Sequence, residues 1–206
     1  MTKEQRDSVV ALARNMYIKD GIKAVRMDDI ARGAGVSKRT LYEAFGDKEE
    51  LLYLAMTHHF GLLAEQHDAV ASKAPNILVA IMSVMEQVLE NSEANWKLMS
   101  TLRRFHPAVS RRIDSEKRDE KRQEFLLGLE MGVRDGLLNP RANLDLAITM
   151  LNFLSLSLVT DSEDLSLPEG VTPQIAFMEF MVNVMRGIST SKGIEVIDNY
   201  IDNIKR

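Results

Sequence analysis

Residues 27–48, MDDIARGAGVSKRTLYEAFGDK, constrain the fold more than any other stretch. Met27, Ile30, Ala31 and Ala34 keep helical spacing, which predicts a short helix with one apolar side. Gly35 follows, and a residue without a Cβ enters a left-handed turn at little cost. Ser37 suits the start of a second helix, because its hydroxyl can accept a hydrogen bond from a free backbone N–H. In that helix Leu41 and Phe45 stand four apart and bury one face, while Lys38, Arg39, Thr40, Tyr42 and Glu43 project elsewhere. Two short helices at a sharp angle, the second armed with basic and hydroxyl groups, describe a helix-turn-helix.

The flanks supply what such a unit needs to fold. Val9, Leu12, Ala13, Met16 and Tyr17 form one apolar stripe on a helix expected from about Glu4 to Asp20, with Gly21 as its stop. Arg6 and Arg14 lie off that stripe and are expected to be solvated. Gly46 ends the second motif helix. Asp47 and Glu50 have the spacing of a capping-box-like start to a longer helix through Leu51, Leu54, Ala55, His58 and Leu62. This predicts a three-helix domain over residues 1–48 and a second domain over 49–206.

A helix in the major groove reads base edges with its first turn. Lys38 and Arg39 stand there and can donate to guanine O6 and N7, while Thr40 can reach a phosphate or a thymine methyl. The string Asp29-Ile30-Ala31, Ala34-Gly35-Val36-Ser37, Thr40-Leu41-Tyr42, Phe45 and Lys48-Glu49 with Leu51 resembles the TetR family of bacterial transcriptional regulators. The resemblance covers roughly the first fifty residues. It implies a DNA-binding domain contacting double-stranded operator DNA through Arg26, Ser37, Lys38, Arg39, Thr40, Tyr42 and Lys48, with Tyr42 and Lys48 clamping phosphates. Arg26 departs from the pattern, since the family usually offers Thr or Ser there. The change removes the usual cap and adds a candidate phosphate contact. The resemblance also implies a ligand-responsive repressor, a homodimer on a palindromic operator, and a C-terminal helical domain for ligand binding and dimerisation.

Composition narrows the alternatives. The chain has 206 residues, no cysteine and a formal charge of −4. Disulfides and thiolate metal sites are excluded, and a reducing cytoplasm is compatible. Residues 1–52 hold ten Lys/Arg against nine Asp/Glu, so attraction to DNA must come from local placement rather than bulk charge. The start, MTKEQRDSVV, lacks the order of a signal peptide. The most apolar run, Ala147 to Val159, is too short to span a bilayer. These features predict a cytoplasmic protein with no membrane partner. His58, His59, His67 and His106 contain no pair at i+3 or i+4, so no metal site is expected. No nucleophile elbow or phosphate-binding glycine loop points to an enzyme or a cofactor.

The rest of the chain reads as helix throughout, which makes the fold all-α. Dense mixed charge from Arg111 to Glu124 predicts a solvated face. Gly128, Gly132 and Gly136 are spaced by four, suiting close helix packing, with Gly136 as a stop. The segments 143–160 and 173–189 are apolar on more than one side and so need partners on two sides. The second partner is expected to be the same pair in another copy, through Leu144, Ile148, Leu151, Leu158, Met178, Met181 and Met185. A small, largely apolar effector is expected among Met82, Met85, Trp96, Met99, Phe125, Met150 and Phe153, since methionine adapts to irregular apolar shapes. The alternative is a DNA-binding adaptor controlled by a protein partner, with a filled core and an exposed apolar patch.

Overall fold

The computed structural model describes residues 1–90, 92–116, 118–159 and 167–204, and these form eleven α-helices. In chain order they are α1 (Lys3–Asp20), α2 (Met27–Gly33), α3 (Lys38–Phe45), α4 (Lys48–Ala71), α5 (Ile77–Glu90), α6 (Ser92–Phe105), α7 (Pro107–Glu116), α8 (Arg118–Arg134), α9 (Leu144–Val159), α10 (Pro173–Ile188) and α11 (Ser191–Ile204). Local chemistry sets most of their ends. Thr2 and Gln5 form a reciprocal capping box at the start of α1. Gly21, Gly35, Gly46 and Gly136 take positive φ at the stops expected for them. Asp47 accepts from the Glu50 N–H at 2.8 Å and so caps α4. Pro107 does more than stop α6: it opens α7, where a missing N–H costs nothing.

By packing, the chain divides into two compact units, residues 1–65 with 93–117 and residues 66–92 with 118–206. The boundary expected at residue 48 therefore cuts through the first unit. The reason is its core, which continues past the motif. Val9, Ala13 and Tyr17 of α1 pack with Ile30, Leu41 and Phe45 of the motif, with Leu51, Leu52, Ala55 and Met56 of α4, and then with Leu98, Leu102 and Val109 of α6 and α7. Gly33 lets α2 approach α1, since a Cβ there would lie 3.2 Å from the Leu12 side chain.

The second unit is built on α5 and α8–α11 around Leu78, Met82, Met85, Leu129, Leu138, Ile148, Leu151, Met185 and Ile197. Gly128 and Gly132 pack against Ile77, where added Cβ atoms would come within 2.9 and 2.7 Å of its side chain. The spacing of these glycines thus serves helix packing. Gly193 is tighter still: a Cβ there would meet the Leu137 carbonyl oxygen at 2.1 Å. The Tyr200 hydroxyl donates to Glu86 at 2.8 Å and accepts from the Ser83 hydroxyl at 3.0 Å, tying α11 to α5.

Three arginines expected to be solvated also make contacts with other helices, Arg6 and Arg112 while remaining exposed. Arg6 donates to the Ala44 carbonyl at 2.6 Å and stacks over the Phe45 ring at 4.7 Å. Arg112 pairs with Glu50 at 2.5 Å and covers the Tyr53 ring. Arg122 reaches Asp145 at 3.0 Å. In each case the partner lies on another helix, which spacing along one helix does not reveal.

The expected interface residues need correction. Ile148, Leu151 and Met185 are buried in their own unit's core and present no surface to a second copy. Leu144, Met178 and Met181 are half-buried against the same core. The side chain of Leu158 lies outside the described residues. The outward apolar side chains are Leu146, Met150 and Phe153 on α9 and Ile175 on α10, with Phe153 71% exposed.

Candidate DNA interface

The motif folds as its residues dictate. Asp29 accepts from the Arg26 backbone N–H at 3.1 Å and caps α2, while the exposed Arg26 side chain makes no capping bond. The turn closes through Val36 N–H to the Ala31 carbonyl at 3.0 Å, with Gly35 at φ +66°. Ser37 then caps α3 by accepting from the Thr40 N–H at 3.0 Å, and its hydroxyl also meets that of Thr40 at 2.7 Å. Leu41 and Phe45 are buried.

That burial fixes what α3 turns outward. The Arg39 side chain is 88% exposed and pairs along the helix with Glu43 at 2.7 Å. Tyr42 is 41% exposed. Lys38 reaches back to Asp28 at 2.8 Å, and this bond raises its pKa, keeping the ammonium charged. Six of the seven candidate DNA contacts therefore lie on the short path from Arg26 through α3.

Lys48 has a different task. Its ammonium donates to the Ile22 and Val25 carbonyls at 2.9 and 2.6 Å, tying the start of α4 to the segment between α1 and α2. Burial lowers its pKa, against the nearby charge of Glu49. Two of its three N–H donors are spent inside the protein. Arg6, which holds the C-terminal end of α3, is the positioning residue that sequence periodicity assigned to solvent.

The expected effector residues are divided between the two units. Met82, Met85 and Phe125 contribute to the core of the second unit. Trp96 and Met99 are half-buried on α6 in the first unit, and Met150 and Phe153 point outward. Two open clefts lie elsewhere. One of about 600 Å³ runs from the end of α1 to α6, lined by Tyr17, Lys19, Ile22, Lys23, Lys97 and Thr101. The other, about 680 Å³, lies among Ala74, Pro75, Ile77, Met131 and Arg134.

Among the described residues the architecture is all-helical, with an N-terminal helix-turn-helix. Residues 9–53 match the family model of bacterial regulatory proteins, tetR family. The chain is 28% identical over 154 residues to the HTH-type transcriptional repressor KstR2 of Mycolicibacterium smegmatis, covering 69% of this chain and 71% of that one. Its fold is shared with the ketosteroid transcriptional regulator KstR2 of Mycobacterium tuberculosis (19% identity, TM-score 0.54, 93% and 98% of the two chains). It is shared too with a proposed transcriptional regulator from Saccharomonospora viridis in complex with choline (18%, TM-score 0.68, 92% and 100%). A TetR-family regulator from Cytophaga hutchinsonii aligns at TM-score 0.70 with 12% identity, over 93% and 99%. The N-terminal segment is thus similar to the DNA-binding part of tetR-family regulators, and the chain shares the fold of these solved regulators.

Proposed function

We propose that the protein is a homodimeric repressor that binds a nearly palindromic operator and leaves it when a small molecule binds. The observation that carries the DNA part is the outward edge of α3. A capped helix shows Arg39 and Tyr42 to solvent, while Leu41 and Phe45 anchor its other side. Arg39 is the base reader, Tyr42 a phosphate donor, and Lys38, Ser37, Thr40 and Arg26 supporting contacts. A twofold dimer would present two such helices to half-sites about 34–36 Å apart, or further if more than one turn is contacted. The dimer surface we assign is Leu146, Met150, Phe153 and Ile175, an apolar group too exposed to be left in water at no cost.

Release by an effector is supported by the name of the M. smegmatis relative, a repressor, and by the choline complex of a structural neighbour. The effector need only bind the DNA-incompetent state more tightly. Among the described residues no helix is long and apolar enough to cross a membrane, which agrees with action in the cytoplasm. The packed methionines of the second unit favour a second reading, an adaptor controlled by a protein partner seated on the same exposed stripe.

Selection of bound fragments from a random DNA pool tests the main reading. A palindromic consensus is expected, with Arg39→Ala losing preference at one position per half-site at a cost of roughly 1–3 kcal/mol. A non-palindromic consensus bound by a monomer would favour the adaptor.

A further inference from the structure

Among the described residues, two nitrogens of the Arg103 guanidinium on α6 have no partner. Its Nε and Nη1 are both shielded from solvent, and neither has a hydrogen-bond acceptor. No carboxylate of the described residues lies within ion-pairing distance. Burial pushes the pKa of the guanidinium down, and Asp114 opposes this only at longer range. A buried charge is costly unless paired and hydrogen-bonded, and arginine cannot escape by losing its proton. Such a group is kept where something else supplies the anion.

Its neighbours along α6 suggest what that is. Trp96, Met99 and Arg103 fall at i, i+3 and i+7, so they share one stripe of the helix. Trp96 and Met99 are half-buried. The cleft of about 600 Å³ uses the opposite side of α6, through Ala94, Lys97, Leu98 and Thr101, and is a separate feature. The stripe thus sets an aromatic ring and a thioether ahead of a guanidinium with two unsatisfied nitrogens. That arrangement fits a ligand with an apolar body and an anionic end.

We infer that Arg103 is the anion-binding residue of the effector site, and that the effector carries a carboxylate or phosphate on an apolar body met by Trp96 and Met99. This rests on the effector reading above and names its ligand class.

Trp96 is the sole tryptophan of the chain, so its fluorescence reports directly on the stripe. The full-length protein is titrated with decanoate, decyl phosphate, decanol and decyltrimethylammonium. At least one of the two anions is expected to bind about tenfold or more tighter than decanol, and the tighter of the two identifies the head group. Arg103→Met should bind decanol as the wild type does and lose the preference for anions. Arg103→Lys should keep part of it. Without ligand, Arg103→Met should melt at or above the wild-type temperature, because an unpaired buried charge has been removed. Decanol or the ammonium compound matching the anions, preference surviving in Arg103→Met, or a marked fall in its melting temperature would each overturn the assignment while leaving the effector reading standing. Failure of all four compounds to bind would remove both.

Discussion

The Lys38 ammonium on α3 lies 2.8 Å from the Asp28 carboxylate on α2, so one cation of the proposed reading helix is held by an acid of the helix before it. Contact with DNA must compete with that pair. Asp28→Asn should therefore raise affinity for non-specific DNA and steepen the log–log salt dependence by about one phosphate contact. The melting temperature should not move, since exposed pairs contribute little to folding. Gel-shift titrations at several salt concentrations measure this, and an unchanged slope would place Lys38 away from the duplex.

Lys48 offers the converse case. Losing its bonds to the Ile22 and Val25 carbonyls should cost about 1–3 kcal/mol of stability. Lys48→Met keeps the aliphatic stem and isolates the charge. Denaturant unfolding is expected to show the loss, and operator affinity should fall with it because the link between α1 and α2 loosens. A variant as stable as the wild type that binds DNA weakly would return Lys48 to the role of a direct phosphate contact.

Tyr17 is fully buried, and among the described residues its hydroxyl has no partner. Burial, aided by the charge of Glu49, holds the phenol well above the ordinary value of 10. Between these two values the folded chain keeps a proton that the unfolded chain has lost, so stability is full below about pH 10 and declines as pH rises beyond it. Tyr17→Phe removes both effects. It should be about as stable as the wild type or up to roughly 1–2 kcal/mol more so at neutral pH, with a shallower alkaline decline. Thermal melts from pH 7 to 11 provide the comparison, and a less stable Tyr17→Phe would mean that the hydroxyl is bonded in solution.

The proposed dimer surface separates cleanly from the core beneath it. Phe153→Glu and Leu146→Glu should give folded monomers by sedimentation, with operator affinity greatly reduced. Leu151→Glu, by contrast, places a charge among Leu78, Ile148 and Met185 and should unfold the second unit. Dimeric Phe153→Glu would show that the copies meet elsewhere.

What the sequence determined by itself is the local architecture. The apolar spacing of 27–45, the turn at Gly35, the Ser37 cap and the Asp47 start all appear where the residues place them, because each depends on atoms within four residues along the chain. Tertiary structure alone decided which groups partner across that distance. Arg6 and Lys48 look like ordinary surface cations until distant carbonyls appear at Ala44, Ile22 and Val25. Helix α9 is the sharpest case. It is apolar on more than one side, so periodicity offers Leu151 and Phe153 equally to the core or to a partner. Only the packing of α9 against α8 and α10 turned Leu151 inward and Phe153 out, because burial depends on the neighbouring helices, and their positions are not carried by any spacing along one helix.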